Sequence, residues 1–403
     1  MTGWRRVVHA AVAVALWLTG CPMAPAGALT PPVIDSDRLP PAAAPAPPVP
    51  TTQRSPCVEP VVGVARGVDV SGAGERSRGD GQRVAVIDTG VDHHPRLAHL
   101  EGGGDYVSTG DGTRDCDGHG TAVAGIIADI APEATLLAIR QSTLRFAAVD
   151  DPASTGFGDV DTMARAVRTA ADLGATVINI SAVACAAGPL HDAALGAALA
   201  YAVDVKDVVV VSAAGNVGGC PAQVGSGDPM TWDQATVAVS PAWYDDYVLT
   251  VGSVDDEGRP SAFTQPGPWV DVAAPGEDMV PDAPAGIPVS GTSYAAPVVS
   301  GVVALLRAHS PELTARQVMR RIQSTARGSA EQRSALIGFG AVNPPAALGQ
   351  PGPAAAPATP AAEVARPPAG HARIAAVIGA GVCVTVAALT LAALSLAFRS
   401  RRP

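Results

Sequence analysis

Gly291-Thr292-Ser293-Tyr294-Ala295-Ala296-Pro297 sets a serine in a small, Gly-led turn at the mouth of an apolar run, Val298, Val299, Val302, Val303, Leu305 and Leu306. The spacing of that run predicts a buried helix over Val298–His309. A helix start carries unpaired N–H groups and the positive end of the dipole, which favour alkoxide and oxyanion character at the serine. A serine hydroxyl is a weak nucleophile until a base removes its proton, so a histidine and a carboxylate are required elsewhere. Working outward, both occur. Asp88-Thr89-Gly90 ends the run Val84-Ala85-Val86-Ile87, whose continuous apolarity suits a parallel strand buried on both faces. His119-Gly120-Thr121 opens a second small-residue helix, Ala122 to Ile127.

The remaining pattern predicts an α/β fold, a doubly wound and mostly parallel sheet flanked by helices. Val84–Asp88, Leu136–Arg140, Val177–Ser181, Val208–Ala213 and Val248–Val251 read as strands, and Val160–Leu173, His191–Lys206 and Thr314–Ala326 as further helices. Asp88, His119 and Ser293 then fall at strand C-termini or helix N-termini, where open α/β sheets bind ligands.

These three blocks resemble the active-site blocks of subtilisin-like serine proteases, and Val210-Val211-Ser212-Ala213-Ala214-Gly215-Asn216 resembles the fourth. The order Asp, His, Ser is the subtilisin order, and the four blocks span Arg83 to Leu306. The resemblance implies a subtilisin-like fold and an endopeptidase with Ser293 as nucleophile, His119 as general base and acid, and Asp88 orienting the imidazole. Asn216 would donate to the oxyanion. Asn179-Ile180-Ser181 resembles the start of the substrate-pairing strand, which makes Ser181, Ala182 and Val183 candidate substrate-binding residues. Ala182-Val183-Ala184 stands where many such enzymes have Leu-Gly-Gly, and the added bulk argues for narrow cleavage. No cofactor and no metal is expected.

The outer segments place this domain. Residues 1–28 read as a signal peptide, with Arg5 and Arg6 before an apolar core from Ala10 to Leu18. Ala26-Gly27-Ala28 fits peptidase cleavage, and Leu18-Thr19-Gly20-Cys21 also fits a lipoprotein box. Residues 29–80 form an N-terminal arm, 81–346 the catalytic domain and 347–373 a stalk rich in Pro and Ala. Residues 374–398 are apolar and uncharged, long enough to span a membrane once, with Arg399, Arg401 and Arg402 in a cytoplasmic tail, 399–403. The expected location is the cell membrane, with the catalytic domain on the extracytoplasmic (periplasmic) side.

Of 403 residues, 27 are Lys or Arg and 37 Asp or Glu, a net charge of −10 without clusters, so nucleic acid is not an expected partner. Setting aside Cys21 and Cys383, which fall in the signal and the span, Cys57, Cys116, Cys185 and Cys220 remain in an oxidising compartment and allow three pairings. We expect Cys57–Cys116, pinning the arm beside the loop before His119, and Cys185–Cys220.

Signal peptide, arm, Tyr294 within Gly-Thr-Ser-Tyr-Ala-Ala-Pro, four cysteines, stalk and span together resemble the mycosins, membrane-anchored subtilisin-like proteases of type VII secretion systems. That resemblance implies exported proteins as substrates and membrane components of a type VII secretion system as partners. It also leaves open a structural subunit whose chemistry is dispensable for export.

Three segments carry weaker expectations. Arg38 to Arg83 is either an inhibitory pro-segment removed on activation or a permanent arm around the domain. Gln141 to Asp159 reads as a loop at the cleft rim. Asp111, Asp115 and Asp117 read as a solvated turn rather than a cation loop.

Overall fold

The computed structural model describes residues 28–59, 61–223, 228–279, 288–328 and 333–349. The expected span and tail, and nearly all of the expected signal peptide and stalk, lie outside the described residues. Among the described residues no helix is long and apolar enough to cross a membrane.

The strands run β1 Thr51–Gln53, β2 Arg83–Asp88, β3 Leu100–Asp105, β4 Thr135–Arg140, β5 Phe146–Ala148 and β6 Val177–Ile180. They continue as β7 Ala184–Ala187, β8 Val209–Ala213, β9 Val237–Ser240, β10 Leu249–Val254 and β11 Val272–Pro275. The principal helices are α1 His119–Ile130, α2 Val160–Asp172, α3 Ala193–Ala200, α4 Thr292–His309 and α5 Ala315–Thr325. Seven strands form one sheet in the order β11-β10-β8-β6-β2-β4-β3, all neighbours parallel. Such a sheet hides both faces, and the residues Val84 to Ile87 and Val209 to Val211 are fully buried.

Helices cover the sheet because their apolar stripes have no other partner. Helix α4 packs on α1 and reaches β6, β8 and β10, while α2 packs on α3 and touches β2, β3 and β4. Each buried Val, Leu or Ile contributes about 1.5–3 kcal/mol by transfer from water. Helix starts follow the capping residues: Asp159 Oδ1 accepts from Thr162 N (2.7 Å) ahead of α2, and Gln317 Oε1 accepts from Thr314 N (2.8 Å) at α5. The helix expected over His191–Lys206 begins at Ala193, and after Ala200 it widens into a π turn, Tyr201–Val205.

Chain order leaves β2 toward β3 and β4 on one side, then returns to β6 on the other. The C-terminal ends of β2 and β6 therefore flank the reversal point, where such sheets open a crevice. Asp88 ends β2, and Ser181 follows β6.

The arm wraps this core. Leu29 is buried and donates its N–H to Ala235 O (2.9 Å), Pro40 O accepts from Arg168 (3.2 Å), and β1 pairs antiparallel with β5. Cys57 is bonded to Cys116, Val58 N donates to Cys116 O (3.0 Å), and buried Val62 packs on α1 at Gly125. Ala65 N donates to Asp129 Oδ2 at the far end of that helix (2.9 Å). The rim segment 141–159 is thus a ribbon held by the arm, with Thr143 and Phe157 exchanging backbone bonds and Arg54 donating to Ser154 O (3.0 Å).

Candidate active site

Asp88 and His119 meet directly. The imidazole Nδ1 lies 2.7 Å from Asp88 Oδ1, which also accepts from Thr89 N at 2.7 Å. Asp88 is buried, whereas the His119 side chain keeps 29% exposure, so the ring reaches from a dry carboxylate to an open cleft. A Cβ on Gly120 would collide with Gly90 O, so this position must be glycine for α1 to start against the Asp88 loop.

Behind this pair sits Asp115, which the structure corrects from solvated turn to buried hub. Its carboxylate accepts from Thr89 Oγ1 (2.8 Å), Asp117 N (3.0 Å), Gly118 N (2.8 Å), Thr121 N (2.9 Å) and Thr121 Oγ1 (2.7 Å). Thr89 Oγ1 in turn accepts from Gly120 N (3.0 Å). One carboxylate therefore joins the residue after Asp88 to the backbone on both sides of His119. Burial pushes the Asp115 carboxyl up, and the Thr121 and Thr89 bonds oppose that. Asp117 is turned the other way, accepting from Leu144 N (2.9 Å) and Thr143 Oγ1 and so tying the rim ribbon to the same loop. Asp111 alone matches the expectation of an exposed turn residue.

The imidazole's proton affinity follows from this setting. Burial alone would push it down; the charge and hydrogen bond of Asp88, with Asp115 and Asp117 behind, outweigh that and hold His119 above its ordinary value. The Tyr294 ring lies across the imidazole, centroids 5.4 Å apart at 50°.

Ser293 sits in the first turn of α4, where its amide has no intrahelical acceptor. A methyl position built on Gly291 lies 3.2 Å from Ser293 Oγ and 3.5 Å from Asn216 Nδ2, so hydroxyl and amide face one small space. Asn216 Oδ1 accepts from Thr292 N (3.0 Å) and Thr292 Oγ1 (3.1 Å), which turns its NH2 toward that space. Among the described residues, the ring of His119 hydrogen-bonds only Asp88, and Tyr294 is what links it to the Ser293 turn.

Ser181 has a role its expected place among substrate contacts did not reveal. Pro297 has no N–H, so the Ser293 carbonyl four residues earlier lacks a helical donor. Ser181 Oγ supplies one at 2.8 Å, itself held by Asn179 Nδ2 (3.0 Å), whose Oδ1 accepts from Ser300 Oγ (2.9 Å). The Ser181 side chain thus braces the Ser293 turn, and Ala182 and Val183 are half-buried. A proline four residues after the serine was the signal for such a brace. The expected disulfides are both formed, Cys57–Cys116 and Cys185–Cys220.

The subtilase family model matches residues 79–340. The chain is 50% identical to Mycosin-4 of Mycobacterium tuberculosis, the match covering 100% of this chain and 99% of that protein. Among solved structures it is similar to the MycP3 protease from the type VII (ESX-3) secretion system, with a TM-score of 0.71 and 46% identity over 79% of this chain and 99% of that one. It is also similar to a chain in the periplasmic assembly from the ESX-5 inner membrane complex, with a TM-score of 0.70 and 39% identity over 84% and 99%.

Proposed function

The chain belongs to the subtilase family and, within it, to the mycosins, subtilisin-like serine proteases, and from that premise we propose that Asp88, His119 and Ser293 form its catalytic triad. Ser293 Oγ attacks the scissile carbonyl while its proton passes to His119 Nε2, the nitrogen left free by the Asp88 bond. Asn216 Nδ2 and Ser293 N hold the oxyanion, the C–N bond breaks as His119 returns the proton to the leaving amine, and water releases the acyl-enzyme by the same steps. The observation that carries this reading is the 2.7 Å Asp88–His119 bond beside a helix start where Ser293 and Asn216 face one space. A fluorophosphonate probe should label the purified protein at Ser293, identified by peptide mapping; an unlabelled Ser293 in folded protein overturns the assignment.

Two consequences are measurable. Asn216→Ala should lower kcat about 10²–10³-fold with KM changed only a few-fold, since the amide acts on charge present only in the transition state. An unchanged kcat removes Asn216 from the oxyanion hole. The base must be neutral to accept a proton, and His119 is held above its ordinary value. The kcat/KM profile should therefore rise with pH to half-maximum above about pH 6.5. A midpoint below that value contradicts the electrostatic account.

The same proposal extends to the setting of the chain. Residues 374–398 anchor it in the cell membrane, the stalk holds the catalytic domain outside the cytoplasm, and its substrates are a narrow set of exported proteins. The similarity to a chain within the ESX-5 assembly supports association with membrane components of a type VII secretion system. It also supports a second role as a structural subunit, compatible with the first. The bonds that the arm makes to β5, to Ala235 and to the loop and helix around His119 favour a permanent arm over a removable inhibitor.

A further inference from the structure

The oxyanion position fixes where the side chain beside the attacked carbonyl must go. β6 and β8 are neighbours, with Ile180 opposite Ser212, so the segments that follow them, 181–184 and 213–216, flank one slot next to Asn216. At Gly215, immediately before Asn216, the backbone has φ +90°. A methyl placed on Gly215 would lie 3.4 Å from Val183 Cγ2, 3.4 Å from Val239 Cγ1 and 3.5 Å from Cys220 Sγ. Val183 therefore reaches across the slot, while Val239 of β9 and the Cys185–Cys220 disulfide back it. A cavity of about 160 Å³ does open beside Ala182–Ala184, between Met163 and Leu195, but its lining includes neither Gly215 nor Asn216.

We propose that Val183 limits the residue whose carbonyl is attacked to Gly, Ala or Ser; the proposal rests on the triad assignment above. A methyl built on Gly215 would meet Val183 at 3.4 Å, ordinary van der Waals contact, so the gap between the glycine and the valine admits a group of about methyl or hydroxymethyl size. A benzyl or long basic side chain would have to displace Val183 from a wall stiffened by a disulfide. Two or more excess methylenes in a closed pocket are discriminated by roughly 10²-fold or more.

Peptidyl phosphonate diphenyl esters test this without requiring turnover. Ser293 Oγ bonds to phosphorus, phenoxide leaves, and the serine proton passes through His119 to the leaving group. Two such esters, differing only in a methyl or benzyl side chain next to phosphorus, are compared on the full-length protein by their rate of labelling Ser293. The small fluorophosphonate serves as the control for the nucleophile. The methyl ester should label at least ~10²-fold faster than the benzyl ester. Val183→Ala should narrow that gap and Val183→Gly should nearly close it, each rate being taken relative to the same variant's own fluorophosphonate labelling. Equal rates in the parent, an unchanged gap in both variants, or fluorophosphonate labelling with no reaction of the methyl ester overturns the proposal. Failure of the fluorophosphonate itself overturns the triad assignment instead.

Discussion

Ser293→Ala is expected to lower peptide hydrolysis by on the order of 10⁶-fold while leaving the protein folded. The residual rate would reflect binding and the oxyanion donors, which the substitution does not touch. Among the described residues no protein group hydrogen-bonds Ser293 Oγ, and the Ser181 bond is made to the backbone carbonyl, which alanine retains. Stability should therefore change by under about 1 kcal/mol, within the usual range for a substitution that removes no partner. Purified variant and parent compared on one cleavable peptide, with melting curves alongside, settle both halves. A variant retaining a tenth of the parent's rate would rule Ser293 out as nucleophile. The same substitution on the chromosome, beside a full deletion, separates chemistry from scaffold. Loss of processing with secretion intact, where deletion stops secretion, assigns both roles; identical failure with normal protein levels assigns export to the chemistry.

Arg333→Met is expected to cost about 3–5 kcal/mol of stability, the usual scale for removing one partner of a buried ion pair. Arg333 donates to Val270 O (2.6 Å), to both oxygens of Asp245 (3.1 and 2.6 Å) and to Asp271 Oδ1 (2.6 Å). Asp271 is buried and, among the described residues, otherwise held only by Thr250 N and Gln323 Nε2, both at 2.8 Å. Removing the guanidinium strands a carboxylate in the interior, next to β11 and the turn that carries Phe339. The pH dependence gives a second check. Burial already pushes the Asp271 carboxyl up, with Arg333 opposing, and loss of Arg333 pushes it further. A carboxyl raised in the folded state favours folding at low pH, and that contribution disappears as pH rises through its folded value. The deficit of the variant should accordingly be greater at pH 8 than at pH 5. A pH-independent deficit, or one below about 1 kcal/mol, would show that Asp245 and the backbone carry the network without this charge.

The sequence exposed the features that repeat or that chemistry restricts. Apolar runs gave the five central strands to within a few residues, because a strand buried on both faces has little compositional freedom. The four blocks marked Asp88, His119, Asn216 and Ser293 for a similar reason: each lies at a helix start or at or just beyond a strand end. What stayed hidden depends on distant partners. Leu100-Glu101-Gly102-Gly103-Gly104-Asp105 has the composition of a loop, yet it is the edge strand β3, supported by β4. The short ribbons β1–β5 and β7–β9 form because the arm and the cleft wall supply partners far away in the chain. Asp115 resembled a surface turn residue beside Asp117; only the fold brings Thr89 and Thr121 to its two oxygens. Ser181 looked like part of a recognition strand, and the proline that explains its actual bond lies 116 residues away, at Pro297.

The Cys57–Cys116 bond closes a ring of chain, its ends 59 residues apart in sequence. Opening a ring once does not divide it. A single peptide cut anywhere from Val58 to Asp115 would leave one covalent molecule, heavier than before by one water. Gel mobility without reductant would hardly register the event, and sequencing from the amino end would report two starts of equal yield. An amino terminus found near Gly81 in such a protein would consequently mark an opened ring, with the segment leading to Cys57 still fastened three residues from His119.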